Sequence, residues 1–83
     1  MASLRDTLRS IIAEVGELDD LVQITDTADL YTDLDLDSMQ AMEIMLEIEK
    51  QLSLSIPGEA LDRVRCLNDA VAMAMELGAT DDT

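Results

Sequence analysis

Eighty-three residues make one small domain, spanning 1–83; a chain this short buries only about 60–65% of its unfolded surface and has no room for a deep catalytic cleft. A net charge of −14 repels nucleic acid and anionic membranes and attracts basic protein surfaces. With no His and one Cys, the chain lacks the means for a His-based triad, a His-ligated metal, an internal disulfide or a structural zinc site.

The apolar residues are Leu, Ile, Val, Ala and six Met, with one Tyr and no Phe or Trp. Such a set favours helices, because strands are usually rich in aromatic and β-branched residues. The first segment, Ser3 to Val15, carries Leu4, Leu8, Ile11, Ile12 and Val15 on one helical stripe. Ser3 with Asp6 forms an N-cap pair, and Gly16 is the expected stop. A long connection follows, from Glu17 to Asp37. Its spaced apolar residues (Leu18, Leu21, Val22, Ile24, Leu30, Tyr31, Leu34 and Leu36) imply that it is pinned to the core, with a helical turn near Leu18 to Val22.

A second helix is expected from Ser38 to Leu52, capped by Asp37 and ended by Ser53 and Ser55. Pro57 opens a short helix reaching Asp62. The last helix runs from Leu67 to Leu77, with Leu67, Ala70, Val71, Ala74 and Leu77 inward, and Gly78 ends it. Residues 79–83 form a frayed tail. The expected fold is all-α: a three-to-four-helix bundle with a long loop between the first and second main helices.

The second helix has two apolar faces. At about 100° per residue from Met39, Met42 falls near about 300° and Leu46 near about 340°, while Ile44, Met45, Ile48 and Leu52 fall between roughly 140° and 240°. A helix of a small bundle buries one side. The stripe of Ile44 and Ile48 is the expected core. Met39, Met42 and Leu46, bordered by Glu43, Glu47 and Glu49, then form an adaptable strip suited to docking a basic partner. The alternative is that the long loop covers this strip.

Charge is unevenly placed. From Ser10 to Glu49 there are twelve acidic residues and no Lys or Arg. Asp33-x-Asp35-x-Asp37 matches the first three ligand positions of an EF-hand loop. It has Ser38 where that loop needs Gly and Ile44 where it needs Glu, so a dedicated calcium site is not expected. Cys66, just before the last helix, reads as a small half-buried hydrophobe in preference to a reactive thiol. Residues Met1 to Ser10 lack a secretory leader's apolar stretch, and no run is long enough to span a bilayer. The expected address is therefore the cytoplasm, or an organelle matrix.

At Asp33-Leu34-Asp35-Leu36-Asp37-Ser38-Met39 the chain resembles the acyl and peptidyl carrier protein family, whose pattern is D-L-G-x-D-S-[LM] at the head of a long second helix. The resemblance continues through Glu43-Ile44, Ile56-Pro57-x-Glu59 and Asp69-Ala70-Val71, and spans nearly the whole chain. It implies a non-catalytic carrier. Its Ser38 hydroxyl would receive 4′-phosphopantetheine from coenzyme A through a phosphopantetheinyl transferase, with Asp37 helping that enzyme engage. The arm's thiol would hold cargo as a thioester. Met39, Met42, Glu43, Leu46 and Glu47 would be the partner-reading face. Two departures stand out. Asp35 replaces the usual Gly, and Asp tolerates left-handed backbone better than most residues. Cys66 replaces a usual Thr or Ser cap, and Asn68 is the expected substitute.

The expected partners are the transferase, an acyl- or aminoacyl-loading ligase or transferase, and downstream biosynthetic enzymes with basic docking patches. No nucleic acid or membrane span is expected, and the chain is expected to be a monomer. The strong acidity leans toward an acyl carrier of fatty-acid or polyketide type. The alternatives are a free-standing aminoacyl or peptidyl carrier loaded by a discrete ligase, a helical adaptor without prosthetic group, and, more remotely, a divalent-ion sensor.

Overall fold

The computed structural model describes residues 3–19 and 21–79. Among the described residues there are three α-helices: α1 (Leu4–Gly16), α2 (Ser38–Leu52) and α3 (Leu67–Glu76). Short 3-10 helices lie at Leu21–Gln23 and Gly58–Arg63. No strand occurs among the described residues. Helix α1 packs against both α2 and α3, and the 58–63 helix packs against α2.

Helix α1 begins as its sequence directs. Ser3 Oγ accepts the Asp6 N–H at 3.1 Å, and Leu4, Leu8, Ile11 and Ile12 are buried. It stops at Gly16, as expected, but Gly16 does not supply the left-handed turn: the left-handed cap is Glu17, with φ of 55°. Gly16 is needed for a close approach instead: a Cβ there would stand 2.9 Å from Leu36 Cδ2. At the other end of the domain, Gly78 does supply a left-handed turn (φ 112°) just past α3.

Helix α3 also differs from expectation at its head. Cys66 occupies the N-cap without a side-chain hydrogen bond, and Asn68 does not replace it. Asn68 instead donates its N–H to the Asp26 carbonyl at 3.0 Å and accepts the Arg5 guanidinium on Oδ1 at 2.6 Å. A carbonyl of the long loop thus satisfies a helix amide that a capping side chain would otherwise take. Leu67, Ala70, Val71, Met73 and Ala74 are buried, and Leu77 packs on them half-buried.

The long loop is pinned, as its apolar spacing implies. Ile24, Leu30, Leu34 and Leu36 are buried, whereas Leu21, in the 3-10 helix, is exposed; the side chain of Val22 is not described. Cations from outside the loop hold its acidic residues. Arg5 and Arg9 of α1 both reach Asp26 Oδ1, at 3.0 and 3.5 Å, and Arg9 Nε donates to the Ile24 carbonyl at 3.0 Å. Arg65 Nε reaches Asp29 Oδ2 at 2.9 Å.

Of the expected frayed tail, 80–83 lies outside the described residues; Ala79 is half-buried and donates its N–H to the Ala74 carbonyl at 2.9 Å. Among the described residues no helix is long and apolar enough to cross a membrane.

Candidate functional site

Ser38 is the first residue of α2 and is exposed. Asp37 before it is the N-cap, and the cap is reciprocal: Asp37 Oδ1 accepts the Gln40 N–H at 2.8 Å, and Gln40 Oε1 accepts the Asp37 N–H at 3.1 Å. Gln40 was not singled out from sequence, although a Gln three residues after a capping residue is the signal for this arrangement. The box leaves the amides of Ser38 and Met39 without a protein acceptor among the described residues. An exposed hydroxyl thus stands beside open amides at the positive end of a fifteen-residue helix, a setting that favours a phosphodiester.

The approach to Ser38 is built by alternation in role. Leu34 and Leu36 are buried, while Asp33, Asp35 and Asp37 are exposed. Asp35 has φ of 58°, so Asp does adopt the left-handed turn for which Gly is usual. Leu36 donates its N–H to the Leu30 carbonyl at 2.9 Å, fixing the chain two residues before the serine. Among the described residues no ion pair reaches Asp33, Asp35, Asp37, Glu43 or Glu47. The carboxylates around Ser38 are therefore not neutralised by ion pairs among the described residues. No group of three or more acidic or Cys side chains among the described residues is placed to hold a metal ion.

Helix α2 separates its two faces as the periodicity requires. Ala41, Ile44, Met45 and Ile48 are buried. Met39, Met42 and Leu46 are 72%, 54% and 57% exposed, so the long loop does not cover this strip. Glu43 is exposed beside it, and Glu47 Oε1 accepts from Gln51 Nε2 at 3.3 Å. Glu49 borders the strip as expected and has a further role: its Oε2 accepts the Ile56 N–H at 2.8 Å. Between α2 and the 56–61 segment lies an open apolar groove of about 230 Å³, lined by Met42, Met45, Leu46, Ile56 and Leu61, with Glu49 at its wall.

Residues 6–74 match the family described as "Phosphopantetheine attachment site". The chain belongs to the acyl and peptidyl carrier protein family. Over 68 residues it is 32% identical to an acyl carrier protein of Brachyspira hyodysenteriae, covering 82% of this chain and 87% of that one. Over 63 residues it is 35% identical to the polyketide-8 synthase acyl carrier protein 2 of Streptomyces avermitilis, covering 76% and 71%. A mitochondrial acyl carrier protein of Neurospora crassa is 34% identical over 71 residues, covering 81% and 53%. As a family member the chain is a non-catalytic carrier bearing covalent 4′-phosphopantetheine, and it works with modifying and biosynthetic enzymes. When bound, that group supplies a flexible arm ending in a thiol.

Proposed function

We propose that Ser38 is the attachment point of the arm and that the cargo is an acyl chain of fatty-acid or polyketide type. The observation that carries the assignment is the exposed hydroxyl at the head of α2, beside two open amides and bordered by the uncovered Met39, Met42 and Leu46 strip. Asp37 holds the helix head in place, and Glu43 and Glu47 add negative charge to the face that a basic partner enzyme would read. The apolar lining of the groove between α2 and the 56–61 segment supports an acyl cargo over a polar one. The relatives are named as acyl carrier proteins, one of them of a polyketide synthase, which supports an acyl cargo without choosing between the two types.

Intact mass before and after incubation with coenzyme A and a broad-specificity phosphopantetheinyl transferase tests the attachment. The chain gains one phosphopantetheine and Ser38→Ala gains none. A Ser38→Ala chain that is still modified would move the site elsewhere. Cargo is tested by offering the modified chain to acyl-loading enzymes and to discrete amino-acid ligases. Loading by the ligases alone would replace the acyl reading with an aminoacyl one.

A further inference from the structure

Four contacts converge on Arg65, which lies in the segment before α3 and is thirty-six residues from Asp29. Its Nε donates to Asp29 Oδ2 at 2.9 Å, and its guanidinium carbon sits 5.1 Å from the centre of the Tyr31 ring. Its carbonyl accepts the Leu30 N–H at 2.7 Å, and its own N–H is donated to Asp69 Oδ2 at 3.0 Å. Asp29 in turn organises the turn that follows. Its Oδ1 accepts the Tyr31 and Thr32 amides at 2.8 and 3.0 Å, and its carbonyl accepts the Asp33 and Leu34 amides at 2.9 and 3.0 Å. Leu30 then receives the Leu36 N–H, and Asp37 and Ser38 follow directly. An uninterrupted set of contacts therefore runs from Arg65 to the head of α2.

We propose that Arg65 is a positioning residue for Ser38: by clasping Asp29 and Tyr31 it fixes the 29–36 turn, and so the geometry in which a transferase meets the serine. The inference rests on Ser38 being the attachment point. The clasp is planar and two-pronged, with a charged hydrogen bond to a carboxylate and a face over an aromatic ring, which suits Arg and not Lys. Because Arg65 is itself more than half exposed, its removal leaves the core intact.

The test compares wild type, Arg65→Ala, Asp29→Asn and the double variant. Asp29→Asn keeps an oxygen for the Tyr31 and Thr32 amides while removing the carboxylate that Arg65 grips. The two single changes shift net charge in opposite directions. A charge-steering effect would therefore raise the modification rate in one and lower it in the other. A positioning effect lowers kcat/KM for arm transfer in both, by about fivefold or more, and the double variant falls no further than the lower single. The Leu34 and Leu36 amides exchange faster with solvent in both variants, while those of Val71 and Ala74 in α3 do not change. Transfer to Arg65→Ala at the wild-type rate, or opposite shifts in the two singles, overturns the inference and leaves Ser38 as the site. A wild-type chain that is not modified at all overturns the attachment reading, and this inference with it.

Discussion

The carboxylate of Glu49, late in α2, accepts the backbone N–H of Ile56 at 2.8 Å and so ties the helix to the segment forming the far wall of the groove. Ile56 is half-buried, and its amide has no other acceptor among the described residues. Glu49→Ala leaves that amide unpaired and is expected to cost about 1–2 kcal/mol. Glu49→Gln keeps an oxygen in reach and is expected to cost about half as much. Urea denaturation of both variants checks the order. Equal losses for Ala and Gln would mean that the carboxylate's charge, and not the hydrogen bond, matters there.

The contact between Gly16 and Leu36 links the end of α1 to the approach to Ser38. An added Cβ would meet Leu36 Cδ2 at 2.9 Å, and Leu36 is 5% exposed, so its methyl would have to shift within the packed core. Ala normally gains up to about 1 kcal/mol over Gly inside a helix, but at a last helical residue that gain is small. Overpacking costs about 1–3 kcal/mol, so Gly16→Ala is expected to destabilise by about 1 kcal/mol. Gly58→Ala is the control: nothing lies within 4 Å of its Cβ position. It is expected to shift stability by less than about 0.5 kcal/mol. Matching thermal midpoints for wild type and Gly16→Ala would show that Leu36 repacks freely.

The opposed faces of α2 give a contrasting pair of outcomes. Ile48 is fully buried, and an Asp there is a charge without a partner in an aliphatic core. The loss is expected to reach about 4–5 kcal/mol. That is comparable with the whole stability of a domain this size, which is about 4–12 kcal/mol. Met42, 54% exposed, contributes little to folding. Met42→Ala is expected to change stability by less than about 0.5 kcal/mol and to slow turnover with partner enzymes. Circular dichroism separates the two. An unfolded Met42→Ala beside a folded Ile48→Asp would reverse the assignment of the faces.

Those faces were readable from sequence because helical period alone sorts Ile44 and Ile48 from Met39, Met42 and Leu46. Ser38 stood out for another reason: the resemblance of Asp33 to Met39, with the segments that follow, to the carrier-protein pattern. What sequence did not give depends on partners distant in the chain. The Asp26 carbonyl that receives the Asn68 amide carries no side-chain signature, so Asn68 looked like a cap when it is the residue being capped. Glu49 looked like surface charge because nothing local marks the Ile56 amide as its partner. Gly16 resembled an ordinary helix stop, since its true constraint is a leucine twenty positions on. The cations too are sparse in sequence but concentrated in space, with Arg5, Arg9 and Arg65 all placed on the acidic loop.

Asp29 gives the pH-dependent prediction. The Thr32 N–H is the largest influence holding its carboxyl below the ordinary value of 3.8; the Tyr31 N–H and the Arg65 guanidinium add to it, and partial desolvation opposes it. A carboxyl whose folded pKa is depressed contributes stability that is fully present above the unfolded value. That contribution is lost as pH falls through the lower folded value. Absolute stability is a poor readout here, because the net charge of −14 means that acidification also relieves repulsion elsewhere. The difference between wild type and Asp29→Asn isolates the group. At about 0.15 M salt the long-range repulsion is screened beyond about 8 Å, so the close contacts of Asp29 dominate the comparison. Wild type is expected to be the more stable from about pH 7 to about pH 5, and the gap is expected to close as pH falls below about 4. Urea midpoints of the two chains across this range measure it. A gap that stays constant down to about pH 2 would show that the Asp29 charge has no part in holding the turn before Ser38.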